Sequence, residues 1–175
     1  MKAYDLAKAE IGTVEWGNGS NPKVVAYFKD AGQAGVTDDA TAWCAAFVGA
    51  MLKRGGMKGT GSLLARSYLD WGKAVDRMNA REGDIVVFKR GNSSWQGHVA
   101  FFVKDNGSTI TVLGGNQSDA VNRSSYPAAS LLGIRRAIDT SAVAPKPVAA
   151  SPTPNPAVKG FWAAFLAFIA SLKGR

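Results

Sequence analysis

The sequence predicts an α+β domain, with helices first and antiparallel strands afterwards, the helices packed on the sheet. Three observations carry this reading. Apolar residues recur with helical spacing up to about residue 71. After Gly83-Asp84 they give way to short β-branched runs, and Asp105-Asn106-Gly107 lies between two such runs as a hairpin signal.

Met1 to Glu10 reads as an amphipathic helix with charges throughout. It lacks the basic segment, apolar core and cleavage site of a secretory leader, so no signal peptide is expected. Ser20-Asn21-Pro22 supplies a cap and a first-turn proline for a second helix through Val24, Val25, Tyr27 and Phe28. A Gly/Asp-rich loop over 32–40 leads to Thr41, the expected N-cap of a third helix through Leu52 that stops at Gly55-Gly56. A further helix is expected from Leu63 to Trp71. Strands are expected over 85–88, 98–103, 109–113 and 131–138, and this domain is expected to end at residue 139.

Residues 140–158 hold five of the seven prolines among Ala, Ser and Val and read as an extended linker. The run 159–175 is apolar from Gly160 to Leu172 and bracketed by Lys159, Lys173 and Arg175. It is shorter than the roughly 20 residues that span a bilayer as a helix. A C-terminal helix lying on an anionic membrane surface is the expectation, with docking on the domain as the alternative.

The chain has 175 residues and an apolar content that supports a real core. One cysteine excludes an intrachain disulfide, and one cysteine with one histidine cannot build a structural zinc cluster. Of the net charge of +8, four units lie beyond residue 140, where Lys146, Lys159, Lys173 and Arg175 meet no Asp or Glu. Such a balance suits nucleic acid, anionic lipid or an anionic wall polymer, and no nucleic-acid motif selects the first. No nucleic-acid partner is expected.

The chemistry centres on Thr41-Ala42-Trp43-Cys44-Ala45-Ala46-Phe47-Val48, which puts the single cysteine in the first turn of a helix. There the macrodipole and unpaired N–H groups favour thiolate. A lone cysteine among Ala, Phe and Val is also a common inert core residue. The single histidine, His98, opens a strand. If Asn106-Gly107 is a two-residue turn, His98 lies opposite Gly115 and Asn116 points to the other face. If Asp105-Asn106-Gly107 is a three-residue loop with Gly107 left-handed, His98 lies opposite Gly114 and Asn116 is its diagonal neighbour; a bulge at Gly114-Gly115 gives the same outcome from the first register. In the set Cys44, His98, Asn116, the thiol attacks a carbonyl, the imidazole moves the proton and the amide orients the ring. The Cys44 backbone N–H is a candidate oxyanion donor.

Trp43-Cys44-Ala45-Ala46-Phe47, Gly83-Asp84-Ile85-Val86-Val87-Phe88, Gly97-His98-Val99-Ala100-Phe101 and Gly114-Gly115-Asn116-Gln117, in this order, resemble CHAP-type or NlpC/P60-type cysteine peptidases of the papain-like superfamily. The resemblance implies a papain-like fold and hydrolysis of peptidoglycan amides, as an endopeptidase or an N-acetylmuramoyl-L-alanine amidase, with Cys44 as nucleophile and His98 as base. Relatives vary at the third position; Asn116 is the choice here, with Gln117 and Asp119 behind it. Asp38-Asp39 lacks the alternating carboxylates of a calcium loop, so no metal and no cofactor are expected. Small wall hydrolases without a leader resemble bacteriophage endolysins. That implies a monomer made in the host cytoplasm and acting at the periplasmic wall, with 159–175 on the membrane. A membrane-active or envelope-binding protein, or a bacterial effector toxin, are the competing readings.

Overall fold

A computed structural model describes residues 2–138. The linker over 140–158 and the C-terminal helix over 159–175 lie outside the described residues. Three helices, α1 (Lys2–Ala9), α2 (Pro22–Asp30) and α3 (Cys44–Arg54), precede a six-stranded antiparallel sheet. Its strands are β1 (Lys73–Val75), β2 (Ile85–Lys89), β3 (Gly97–Asp105), β4 (Thr109–Gly114), β5 (Asn122–Pro127) and β6 (Leu131–Arg136), in the order β1-β6-β2-β3-β4-β5.

The second helix starts for a local reason. Asn21 caps α2, its side-chain oxygen accepting from the Lys23 N–H, and Pro22 fills the first position, where no N–H is needed. The cap expected at Thr41 is corrected. Trp43 occupies the N-cap of α3 without a side-chain bond, and the Thr41 N–H and hydroxyl both donate to Asp38, at 2.8 and 3.0 Å. Asp38 closes a tight turn that draws Thr41 away, and helical geometry begins at Cys44. The helix expected over Leu63 to Trp71 is a 3-10 helix, Ala65–Asp70, entered from an extended Leu64 and followed by Gly72 at φ +59°. The sequence pattern predicts neither β1 nor β5; both are edge strands without a continuous apolar run.

The sheet buries both faces, which is why β2 and β3 read as unbroken apolar runs. Ile85, Val87, Val99 and Phe101 face the helices and pack with Tyr27, Trp43, Phe47 and Met51. Val86, Phe88, Ala100, Phe102, Ile110, Val112 and Ile134 form a second core on the opposite face. Tyr126 of β5 stacks on Phe88 of β2 at 5.1 Å although two strands lie between them, so the sheet curls around this second core. Asp84, at the entry to β2, accepts two 2.7 Å bonds from the Arg136 guanidinium at the end of β6 and a third from the Arg81 N–H.

The β3–β4 hairpin adopts neither anticipated register. Asp105 pairs with Ile110 and Lys104 with Thr111, then the ladder shifts to Phe102 with Val112 and Phe101 with Leu113. Val103 is the extra residue, a bulge. Gly107 is left-handed at φ +83°, and the Arg77 guanidinium holds Asp105 through two 2.7 Å bonds and reaches the Gly107 carbonyl. That clamp fixes the turn, and the bulge absorbs the resulting offset.

Candidate active site

Cys44 is the first residue of α3, so its backbone N–H has no partner within the helix. Its half-buried thiol sits beside the Val99 N–H, one residue along β3 from His98. Burial pushes the thiol up from its usual range, while the Val99 N–H and the Arg90 charge pull it down.

His98 is 2% exposed and lies opposite Phe88 on the face of the second core. Its ring stacks on Tyr126 at 4.9 Å, making a pile of three rings with Phe88 beneath. Burial pushes the imidazole down to about 4, opposed by the Gln117 acceptor and helped by Arg90.

Nε2 of His98 lies 3.0 Å from the side-chain oxygen of Gln117. Here the structure departs from the expectation, because Asn116 does not touch the imidazole. The observed register, continued past its end, would set residue 116 opposite His98. But β4 ends at Gly114, and Asn116 turns out at φ +55° into the cleft over Cys44. Asp119, the other alternative, is an exposed turn residue at φ +57°. Gly114 and Gly115 make this turn. A Cβ on Gly115 would lie 2.3 Å from the Trp43 ring and 2.7 Å from Phe47, and one on Gly114 would lie 2.9 Å from the Ala100 side chain.

The Gln117 amide has one allowed orientation. Its NH2 group donates to the Asn122 carbonyl at 2.7 Å and to the Asn122 side-chain oxygen at 3.0 Å. A backbone carbonyl accepts and never donates, so the Gln117 oxygen must face His98. Nε2 therefore carries the hydrogen and Nδ1 keeps the lone pair. Nδ1 is buried and has no hydrogen-bond partner among the described residues. In turn, Asn122 donates to the Gln117 carbonyl and accepts from the Ser124 hydroxyl. Asn122, Ser124 and Tyr126 alternate on the inner side of β5, so one edge strand orients the ring through a relay and covers it.

Sequence reasoning missed this support, and also Arg90 and Trp95. The only available signal was the alternation Asn122/Ser124/Tyr126, too polar to be read as a strand facing a core. Ala42, Cys44, Leu63, Leu64, Ala65, Arg90, Trp95, Gln96, Gly97 and Asn116 line a cleft of about 190 Å³. Among the described residues no group of three or more His, Cys, Asp or Glu stands together as a metal site. Asp39 instead accepts from the Trp16 and Asn21 N–H groups.

A cysteine at a helix start, set against a sheet that carries the histidine, gives an α+β fold of the kind seen in NlpC/P60 structures. Residues 36–116 match the CHAP domain family model. No curated protein sequence matches. An NLP/P60-family protein similar to a lipoprotein, from Staphylococcus aureus, shares the fold at TM-score 0.50 and 18% identity, covering 78% of this chain and 40% of its own. The peptidoglycan hydrolase RipB of Mycobacterium tuberculosis aligns at TM-score 0.47 and 18% identity, over 79% of this chain and 64% of its own. RipD of the same organism, described as a non-catalytic NlpC/p60 protein adapted to peptidoglycan binding, aligns at TM-score 0.46 and 17% identity, over 79% and 99%. The chain thus spans less than two thirds of the first two.

Proposed function

We propose that the protein is a cysteine hydrolase of amide bonds in peptidoglycan. The observation that carries this reading is the fixed tautomer of His98: an unprotonated Nδ1, oriented through Gln117 and Asn122, on the strand against which the Cys44 thiol packs. In the proposed reaction Cys44 gives its proton to Nδ1 and its sulfur attacks the amide carbon. The developing oxyanion meets the free N–H at the start of α3. The C–N bond then breaks, the leaving amine takes the proton from Nδ1, and a thioester remains. Water attacks the thioester with Nδ1 again accepting a proton, which releases the carboxylic acid and restores the thiol.

Purified sacculi digested with the protein and analysed by mass spectrometry test this. New amine and carboxyl ends are expected, with Cys44→Ala and His98→Ala each lowering the rate about 10³-fold or more. Undiminished digestion by Cys44→Ala would sink the proposal.

A binding-only reading has one observation in its favour: no hydrogen bond joins Cys44 to His98 among the described residues. Sacculi that retain the protein on pelleting yet release no soluble fragment would establish it instead.

The proposal extends to a setting of phage-induced lysis, with a monomer made in the host cytoplasm and acting at the periplasmic wall. The domain over 1–139, the linker over 140–158 and a membrane-contacting helix over 159–175 are parts of the same proposal. The uncharged run from Gly160 to Leu172 between Lys159 and Lys173 supports it. Leakage of anionic vesicles should fall in a truncation ending at Asp139, and unchanged leakage would remove the tail from the mechanism.

A further inference from the structure

The loop between β2 and β3 brings Arg90 and Trp95 to the cleft over Cys44, and the reaction scheme uses neither. Arg90 is exposed and has no ion-pair partner among the described residues. Nearby Arg66 serves structure. Its guanidinium donates to the Gln96 carbonyl at 2.7 Å and to the Ser93 carbonyl at 2.6 Å, tying the loop to the 3-10 helix. The loop re-enters β3 at Gly97, where a Cβ would lie 2.8 Å from the Phe88 carbonyl. Trp95, 62% exposed, is thus held as a wall of the cleft.

The remaining lining sharpens the contrast. Ala42, Leu63, Leu64 and Trp95 are apolar, Gln96 and Asn116 are neutral, and no carboxylate lines the cleft. A cation without a counter-ion, set in apolar walls, concentrates field toward an anion. Guanidinium also matches a carboxylate in bidentate geometry. At about 190 Å³ the space equals roughly six waters, room for one side chain with an acid group. Arg90 and Cys44 line the same cleft, so an acid that Arg90 holds lies close to the reacting bond.

We propose that Arg90 determines specificity by binding a carboxylate of the peptide whose amide Cys44 attacks, with the aliphatic part of that residue against Leu64 and Trp95. The protein then prefers a free acid beside the scissile amide to its amidated counterpart. This rests on the hydrolase reading above.

The test separates the two. Iodoacetate and iodoacetamide both alkylate the Cys44 thiolate with loss of iodide, so any effect of Arg90 on the thiolate fraction cancels in their rate ratio. In the full-length protein the iodoacetate-to-iodoacetamide ratio should exceed that of free cysteine. It should fall about 5-fold in Arg90→Gln, the size of one charge pair at contact in water, and be largely kept in Arg90→Lys. A ratio unchanged in Arg90→Gln overturns the proposal; both rates then falling together would make Arg90 a thiolate stabiliser only. With stem-peptide fragments, Arg90→Gln should raise KM about 10-fold for the free acid and leave the amidated peptide unchanged; equal effects on both also overturn it. Sacculi left intact by the wild type would defeat the hydrolase reading alone, and the alkylation ratio would still decide the anion site.

Discussion

His98 is 2% exposed, and burial holds its imidazole at about 4, against 6.5 for a solvated ring. The folded value lies below the unfolded one. Between pH 6.5 and 4 the unfolded chain therefore binds more protons, and stability falls as pH drops through that window and levels off below it. The loss from this one group amounts to about 3 kcal/mol at most. Urea midpoints of wild type and His98→Gln, compared at pH 7 and pH 4.5, should show a steeper acid loss for the wild type; parallel losses would refute the burial argument. Catalysis has a matching expectation, an acid limb of kcat/KM nearer pH 4 than pH 6.5. The third position has its own test. Gln117→Ala should lower kcat about 10- to 100-fold by freeing the tautomer. Asn116→Gly keeps the left-handed backbone and should stay within about 3-fold. The reverse ranking would restore Asn116. At this scale Cys44 and His98 stand out in the sequence because each is the only residue of its kind and lies at an element boundary. Gln117 was ranked behind its neighbour because side-chain partners depend on a turn whose left-handed residues, Asn116, Ser118 and Asp119, leave no periodic trace.

The turn from Gly114 to Gln117 shows how backbone shape fixes the site. Gly115 lies against the Trp43 and Phe47 rings, so Gly115→Ala pushes into a core with no slack and should cost about 1–3 kcal/mol, read as a lowered Tm. Activity should fall further than stability, because Gln117 moves with the turn. The loop from Arg90 to Gln96 makes a second case. Arg66→Ala removes both of its tethers and should raise KM with little change in kcat, since Arg66 touches neither Cys44 nor His98. Elements with strong periodicity or turn chemistry were readable: α2 from Asn21-Pro22, β2 and β3 from their apolar runs, the hairpin from Asn106-Gly107. The register was not, because the Arg77 clamp on Asp105 is a tertiary contact across 28 residues. Nor was β5, whose inner face holds Asn and Ser for the relay where a core strand would hold Val.

Across the whole described domain, the order of helices before strands was enough to predict α+β, and the curl of the sheet was not. Curling follows from long-range pairs such as Phe88 with Tyr126. Asp84 is nearly fully buried and takes three bonds, so Asp84→Ala leaves the Arg81 N–H unpaired and leaves the partly exposed Arg136 guanidinium only its bond to the Asn79 carbonyl. A loss of about 1–3 kcal/mol is expected from chemical denaturation. A loss under 1 kcal/mol would mean the pair is idle. The distribution of the site along the chain has a further consequence in time. A ribosome delivers Cys44 and His98 well before Gln117, Asn122 and Tyr126, and β5 is the edge strand of the sheet. Through much of synthesis the thiol exists without an oriented imidazole, so the hydrolysis proposed above would become available only with the last quarter of the domain, and a chain truncated before β5 should lack it.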